Sequence, residues 1–471
     1  MEYESKIEKY VLYSLLVATA TYFIYLIYTY TNTFGGGDNF VHYRVSKFAF
    51  DYPHLFMDHW GKPLFTALSA PFTYFGSYKG MQIFNIICVI SSSFFVYKIG
   101  RKLNLKGSFI APLIVLSSPY FFLITTTAMT ESFCAFVLIL AVYLFLYERY
   151  VLATIIISFI PYARTEGFLF LAIFAFCLGL TKQWRSMPFL FLGFVFYGII
   201  GLFHYGDFFW LITKSPYKGA ADLYKNGEWY HYLIKMHVIF GVLLTCISAI
   251  GFLISIVYLR LKKIKWSTFL LLSGCATLYF VAHSIAWWLG KGGALGLCRI
   301  MTVITPLLAV FALFSLDLIL RRIKWPLVRI ISTMALGCLM ITVPFYKGVH
   351  KFDAEAEVKV YDKVIAYLEE SNLDQNFIIY PNAYLTFKMD IDPFNENRSK
   401  EWVYDRNEPS KRFESGSVFL WDSHLGPNEG GVSEEELDAD KRLRLITTFY
   451  PDEPLYVLGG RRFEVRVYEI L

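Results

Sequence analysis

Two adjacent stretches near the start of the chain decide the fold: VLYSLLVATATYFIYLIYTYT at residues 11–31, and FGGGDNFVHY at residues 34–43. A bilayer core of about 30 Å takes about twenty apolar residues per helix, so the first, uncharged stretch is long enough to span it. The second places Asp38 and His42 just beyond this span, where a charged group is costly unless it is used or paired. The sequence therefore predicts a membrane helix followed at once by a functional loop.

The whole composition is that of an integral membrane protein. Of 471 residues, 56% are apolar and only 17% are charged, which is too little polar surface for a soluble protein of this length. The formal net charge of +6 suits an anionic membrane surface or a phosphorylated substrate without selecting either, and no nucleic-acid partner is expected. The seven cysteines have no paired spacing, so neither a disulfide framework nor a metal knuckle is predicted.

Apolar segments recur along most of the chain and predict about eleven membrane-spanning helices. They lie near residues 11–31, 81–97, 109–125, 131–147, 151–163, 166–181, 187–204, 237–259, 267–288, 299–319 and 326–344. With the N-terminus in the cytoplasm, every predicted inner connection is basic, as the positive-inside rule requires. These connections are KIGRKLNLK, YERY, TKQWR, RLKKIKW and RRIKW.

This topology predicts two domains. Residues 1–345 form a transmembrane catalytic domain, whose first outer loop, 32–80, contains an interfacial helix at PLFTALSAPFTYFG. Residues 346–471 form a small α/β domain on the outer face, periplasmic or extracellular. In this tail VKVYDKVIAYLEESN has helical spacing, whereas FIIYP, SVFLWDSH, PLYVLGG and RFEVRVYEI are typical of short strands.

Ionisable or polar residues at the outer ends of the spans are the candidates for chemistry, because such groups are rare in membranes unless they are functional or paired. Alternating topology places them on one face, where they could line one cavity. In chain order they are Asp38, His42, Tyr43, Asp51, His54, Asp58, His59, Lys62, Glu131, Arg164, Glu166, His283, Lys291 and Arg299.

Nine of these residues lie in motifs that resemble those of the GT-C glycosyltransferases. Within that superfamily they are most similar to the protein O-mannosyltransferase and aminoarabinose-transferase group, polytopic enzymes that use polyprenyl-phosphate sugars. The motifs are GDNFVHY, HWGKPLFTALSAPFTYFG, the pair TESF and ARTEGFLF, and CRIMTVITP. The resemblance covers about residues 1–345. Leu64 stands where the family has a second proline, Ile300 stands where it has a tyrosine, and one acidic residue follows the first span where many members have two.

The resemblance implies a role for each matching residue. Asp38 is the expected general base, which removes the proton from the acceptor hydroxyl. The residues expected to bind the donor and its phosphate are Lys62, Arg299, His59, His42 and Tyr43. The residues expected to bind the acceptor or to support the site are Glu131, Arg164, Glu166 and Asp58. No cofactor is specified, and a divalent metal ion stays open.

Each functional role has a structural alternative. Asp38 could cap the helix suggested by NFVHYRVSKFAF, and Arg299 could be an ordinary interface arginine. Arg164 and Glu166 are expected to form an ion pair that holds two broken helices together. Glu131 could cap its own helix, and the histidines could lie in a solvated loop. In the tail, Asp422 and His424 are expected to form a capped turn rather than an acceptor site.

The expected activity is inverting transfer of a mannose-like or related hexose from a polyprenyl-phosphate donor to a hydroxyl. The acceptor is a protein, a lipid-linked glycan or a lipid, and membrane lipids are the other partners. The expected location is the cytoplasmic (inner) membrane, with a bacterial source favoured over the endoplasmic reticulum as the alternative. The alternative is a transporter or flippase of a lipid-linked or anionic substrate; such proteins tend to show internal repeats and charges at the midplane, which this sequence lacks.

Overall fold

A computed structural model describes residues 2–216, 226–346, 354–402 and 413–471 of the chain. Their internal contacts divide them into two compact units. The first unit contains residues 2–32, 45–216 and 226–346, and the second contains 33–44, 354–402 and 413–471.

The first unit is built from helices, because its apolar sequences satisfy their backbone hydrogen bonds internally. Its α-helices are α1 Glu2–Thr29, the end of α2 Gly37–Phe48, α3 Pro63–Lys102, α4 Ala111–Leu116, α5 Pro119–Ile124, α6 Glu131–Leu146, α7 Tyr150–Ser158, α8 Phe168–Leu180, α9 Leu192–Tyr205, α10 Trp210–Thr213, α11 His231–Ile239, α12 Val242–Arg260, α13 Trp266–Leu289, α14 Thr305–Leu320 and α15 Pro326–Tyr346. Short 3₁₀ turns lie at Pro53–Met57, Ser108–Ile110, Ile160–Tyr162, Thr165–Gly167, Trp184–Phe191 and Cys298–Ile304.

Seven helices among the described residues are long and apolar enough to cross a membrane, so the chain is a multi-pass membrane protein. Three shorter apolar helices, Glu131–Leu146, Tyr150–Tyr162 and Thr165–Leu180, coincide with three further predicted spans. The segment predicted at 109–125 is broken into α4 and α5 at Ser117 and Ser118. Every predicted span therefore contains helix, while the count of eleven crossings stays a prediction.

The second predicted span continues from the helix predicted at PLFTALSAPFTYFG. Together they form α3, 40 residues long, which bends at Ser77 where the backbone has a φ of 51°. Pro63 lies at the start of this helix, where its missing amide hydrogen removes no intrahelical bond.

The second unit contains a five-stranded sheet in the order β2-β1-β3-β5-β4. The strands are β1 Ile378–Tyr380, β2 Ser399–Glu401, β3 Val418–Asp422, β4 Leu443–Phe449 and β5 Val465–Ile470. The first three strands in the spatial order are parallel to one another, whereas β5 runs antiparallel to both β3 and β4. The helices of this unit are α16 Ala356–Glu370, α17 Tyr384–Lys388, α18 Leu425–Asn428 and α19 Glu434–Ala439, and a 3₁₀ turn lies at Leu373–Gln375.

Alternation of side chains gives this sheet two apolar faces. Val418 and Leu420 pack with α16 in one core, and Phe419 and Trp421 pack with Trp402 in the other. The predicted helix and three of the four predicted strands are confirmed. PLYVLGG is not a strand; it contributes only the isolated bridge between Tyr456 and Arg462.

The glycine-rich segment lies in the second unit. Gly35 and Gly36 have φ values of 102° and 57°, a conformation that glycine adopts without the cost of a Cβ atom. The helix predicted from NFVHYRVSKFAF follows as α2. Residues 33–44 thus fold with the C-terminal domain, although the sequence assigns them to the first outer loop.

Candidate functional site

A cluster of largely buried charged residues, each with a side chain less than 20% exposed, lies in the first unit, where several helices begin. Glu131 is the first residue of α6 and is completely buried. Arg164 and Glu166 lie in the break between the turns Ile160–Tyr162 and Thr165–Gly167. Arg299 lies in the turn Cys298–Ile304 that leads into α14. Four of the predicted site residues therefore come together, although they are as far apart in sequence as residues 131 and 299.

Arg164 is the centre of this cluster. Its Nη1 lies 2.9 Å from Glu131 Oε1, and its Nε donates to Glu166 Oε1 at 2.5 Å. Nη1 also donates to the Thr130 hydroxyl at 3.0 Å. Arg299 Nε lies 3.6 Å from the same Glu131 oxygen, so one carboxylate faces two guanidinium groups. The predicted ion pair between Arg164 and Glu166 is present, and it is part of a larger network.

Helix α13 contributes two more polar residues to the cluster. The Tyr279 hydroxyl lies 3.2 Å from Glu166 Oε1 and 3.1 Å from the Ile300 carbonyl oxygen, the two acceptors to which it can donate. His283, one turn further along, places Nε2 4.0 Å from Glu166 Oε1 and its ring centroid 4.4 Å from that of Tyr279. His283 was among the residues selected from the sequence, whereas no pattern pointed to Tyr279, because a tyrosine inside an apolar span is usually part of the core.

Electrostatics explain why these residues occur together. Transfer of an isolated charge from water to a low-dielectric interior costs roughly several kcal/mol or more. An ion pair that is also hydrogen-bonded offsets much of this free energy. The side chains of Glu131 and Arg164 are only 1% and 14% exposed, so neither charge has full solvation by water. The formal charges of two glutamates and two arginines cancel, which makes the cluster stable among apolar helices.

A second polar group lies in the loop that precedes α3. Lys62 is buried and donates from Nζ to the His59 carbonyl oxygen at 3.1 Å. His59 Nε2 donates to the Leu211 carbonyl oxygen at 2.8 Å, and its ring meets Trp210 edge to face. Asp58 Oδ1 accepts from the Gly61 amide at 2.5 Å and so closes the turn. Burial, followed by the charge of Lys62, lowers the pKa of His59, which favours the neutral ring.

Three other predicted residues of the first outer loop, Asp38, His42 and Tyr43, lie in the second unit. Asp38 is in the first turn of α2 and partly buried, a position where a carboxylate interacts favourably with the helix dipole. His42 and Tyr43 are both buried, and the Tyr43 ring meets Phe387 edge to face at 5.5 Å. The loop predicted as one site is thus divided: Asp38, His42 and Tyr43 belong to one unit, and Asp58, His59 and Lys62 belong to the other.

The residues after β3 form the expected capped turn. Asp422 Oδ1 accepts from the amides of His424 and Leu425, while Oδ2 accepts from the Tyr361 hydroxyl at 2.5 Å. Burial raises the pKa of Asp422 to about 6. His424 Nδ1 forms a hydrogen bond with Glu357 Oε1 at 3.1 Å. Burial acts to lower the pKa of His424, but this hydrogen bond and the charges of nearby carboxylates outweigh it, so the pKa of His424 is raised.

A metal centre was left open by the sequence. Within the described residues, no three histidine, cysteine, aspartate or glutamate side chains are grouped closely enough to hold an ion. The charged cluster is a set of ion pairs in which arginines already occupy the carboxylates, so it does not offer the oxygen-rich ligand set of a divalent cation.

Comparison with known proteins identifies the fold. No protein-family model matches the chain, and no curated protein matches it in sequence. ArnT from Cupriavidus metallidurans bound to undecaprenyl phosphate has a TM-score of 0.63 at 9% identity, covering 96% of this chain and 97% of that one. The Archaeoglobus fulgidus oligosaccharyltransferase, tethered with an acceptor peptide containing the NVT sequon, has a TM-score of 0.55 at 14% identity, covering 97% of this chain and 74% of that one. Both are GT-C glycosyltransferases, so the fold implied by the sequence motifs is confirmed.

Proposed function

We propose that this chain, which has the fold of GT-C glycosyltransferases, transfers a sugar from a polyprenyl-phosphate donor to a hydroxyl acceptor outside the cytoplasm. The observation that carries the proposal is the buried cluster of Glu131, Arg164, Glu166 and Arg299 within that fold. The two arginines are only 14% exposed and face a shared carboxylate, and guanidinium groups are suited to planar recognition of phosphate oxygens. ArnT, whose fold this chain shares, binds undecaprenyl phosphate.

In the proposed reaction Asp38 accepts the proton of the acceptor hydroxyl. The hydroxyl oxygen forms a bond to the anomeric carbon of the sugar from the face opposite the phosphate. The bond between that carbon and the phosphate oxygen breaks, and polyprenyl phosphate leaves with the electron pair. The product is an inverted glycoside, and a base in this position typically accelerates such a step by about 10² to 10⁴.

Cationic residues of the first unit bind the departing phosphate in this proposal. Arg299 and Lys62 stabilise the negative charge that collects on the phosphate as the bond breaks. An arriving phosphate competes with Glu131 for Arg299, while Arg164 and Glu166 keep the other half of the cluster in place. His59, His42 and Tyr43 are proposed donor-binding residues, and Asp58 supports the turn that carries Lys62.

Replacement of Asp38 by asparagine tests the proposal. We expect Asp38→Asn to reduce the transfer of sugar from synthetic polyprenyl-phosphate hexoses by about 10²-fold or more, because the amide cannot accept the proton. The measurement is release of free polyprenyl phosphate together with formation of the glycoside. Donor binding to the purified protein should be retained.

Asp51→Asn is the matched control, since Asp51 is an exposed aspartate of the same predicted loop. Its activity should equal that of the unmodified chain. Undiminished transfer by Asp38→Asn would show that Asp38 is not the base. Movement of intact donor across a vesicle bilayer with no cleavage would instead support a flippase.

A further inference from the structure

We propose that the C-terminal domain positions the general base, because the first half of the helix that carries Asp38 packs into that domain. The inference rests on the function proposed for Asp38. Its evidence lies within the second unit, in the contacts of Phe40, Tyr43 and Arg44. Phe40 and Arg44 are positioning residues and are not proposed to contact substrate, whereas Tyr43 is also a proposed donor-binding residue.

The arrangement of residues around α2 places its main attachment contacts on the side away from Asp38, and Val41, which lies between the two sides, packs against the same core. Successive residues of an α-helix are turned by about 100°, so Phe40, Tyr43 and Arg44 share one face and Asp38 lies about 160° from Phe40. His42 follows Asp38 by four residues and shares its face. Attachment of the first face therefore fixes the direction in which the second face points.

Aromatic packing attaches the first face. Phe40 is fully buried in the same core as Val358 of α16. Its ring centroid lies 4.9 Å from that of Tyr384 and 4.7 Å from that of Phe387, both on α17. Tyr43 adds an edge-to-face contact with Phe387, in which the ring planes meet at 90°. Burial of the whole Phe40 ring removes a large apolar surface from water, so this attachment is firm.

Polar contacts fix the same segment at both ends. Arg44 Nη2 donates to Glu401 Oε2 at 2.5 Å, and the two side chains are only 13% and 19% exposed. Thr33 Oγ1 accepts from the Glu355 amide, just before α16, at 2.9 Å. Contacts before and after Asp38 thus hold it to the domain, and they span more than 300 residues of sequence.

Charge reversal across the Arg44 and Glu401 pair tests the positioning role in the full-length protein. We expect Arg44→Glu and Glu401→Arg each to reduce kcat by about tenfold or more, with little change in the KM for the donor, because misplacement of a catalytic group by 1 Å can cost about 10²-fold. The double reversal restores the attraction and should recover most of the lost kcat. A purely structural role would lower the amount of folded protein and leave the kcat of the folded fraction unchanged.

Arg444 and Glu469 provide the matched control, because they are an arginine and glutamate pair between strands of the same unit. Reversal of that pair should leave kcat unchanged. If a reversed Arg44 variant does not fold, Arg44→Gln removes the charge without adding a repulsion and gives the same readout. Unchanged kcat in the folded single variants, or no recovery in the double variant, overturns the positioning role.

The test of the positioning role can be distinguished from the test of the proposed function. Loss of transfer in Asp38→Asn combined with full kcat in the Arg44 and Glu401 variants would retain the base and reject its positioning by the C-terminal domain. Full transfer in Asp38→Asn would reject the base itself. In that case the Arg44 variants would report on the stability of the domain alone.

Discussion

Arg164 is the residue on which the buried cluster of the first unit depends. Its guanidinium group contacts Glu131, Glu166 and Thr130. The sequence predicted the pair with Glu166, because the two residues are adjacent in a polar break between apolar segments. It also placed Glu131 and Arg299 on the same side of the membrane. It could not predict that one glutamate faces both arginines, since that depends on how α6, α14 and the break pack.

Removal of Arg164 should destabilise the protein strongly. Arg164→Met removes the nearest cation from the buried Glu131 carboxylate and from the largely buried Glu166 carboxylate, and breaking a buried pair in this way typically costs about 3–5 kcal/mol. We expect a clear fall in the melting temperature of the protein in detergent. Lys265→Met is the control, because the Lys265 and Glu148 side chains are 75% and 58% exposed and such pairs contribute about 1 kcal/mol or less. Equal melting temperatures for the two variants would mean that the buried pairs do not stabilise the fold.

Among the helices, α12 and α14 pack closely through small residues. Inside a membrane the hydrophobic effect does not drive helices together, and close packing and interhelical hydrogen bonds do so instead. Ser248 donates to the Leu308 carbonyl oxygen at 3.0 Å, and Ser315 donates to the Ile247 carbonyl oxygen at 2.7 Å. Gly251 faces the backbone of α14, where an added Cβ atom would lie 1.8 Å from the Phe311 carbonyl oxygen. These contacts require a close approach of the two helix backbones.

We therefore expect Gly251→Ala to destabilise the protein, although alanine favours a helix over glycine by about 1 kcal/mol. The steric conflict with Phe311 has to be relieved by separating two helices. Gly179→Ala is the control within α8, because its nearest neighbour would lie at 3.6 Å, an ordinary contact. Thermal unfolding in detergent should show a lower melting temperature for the first variant and an equal or higher one for the second. A stabilised Gly251→Ala protein would contradict the tight packing of α12 on α14.

The strands of the second unit show which elements cannot be predicted from the pattern of apolar residues. Strands β1, β3 and β5 are strongly buried, and each follows from a conspicuous apolar run. Strand β2 consists of Ser399–Glu401, three polar residues with no apolar signal. Strand β4 is an edge strand whose side chains are partly or fully exposed, so its alternation is weak. Neither of these two strands was predicted.

At the scale of the molecule, the largest difference from the sequence prediction is the assignment of residues 33–44. Local pattern correctly predicted the helix that begins there. Its packing depends on contacts such as that between Phe40 and Tyr384, which are separated by most of the chain. Hydropathy and spacing carry no information about pairs of this kind, and so the segment was assigned to the membrane domain.

The second unit should become more stable on acidification. Burial raises the pKa of Asp422 to about 6, and the pKa of His424 lies above its usual 6.5, so both groups bind protons more tightly in the native state than in the unfolded chain. The contribution of these two groups to the free energy of unfolding is therefore greatest at low pH and falls as the pH rises through their native pKa values. Hydrogen exchange of the amides around β3, corrected for intrinsic rates, should show slower opening at about pH 5 than at about pH 8.

Asp422→Asn should reduce this difference, since it removes one of the two titrating groups. Glu357→Gln should also reduce the difference in opening between the two pH values. The hydrogen bond and charge of Glu357 raise the pKa of His424, so the variant should lower that pKa. Opening that becomes slower as the pH rises would show that neither group gains a proton on folding.

The bend of α3 is rigid and does not act as a hinge. At Ser77 the backbone adopts a φ of 51°, and beyond it Gly80 comes so close to the first half that an added Cβ atom would lie 1.9 Å from the Phe72 carbonyl oxygen. Contact between the two backbones leaves the bend angle little room to vary. A displacement of residues 78–102 therefore also moves the half of α3 before the bend, and with it Lys62, which immediately precedes the first residue of the helix.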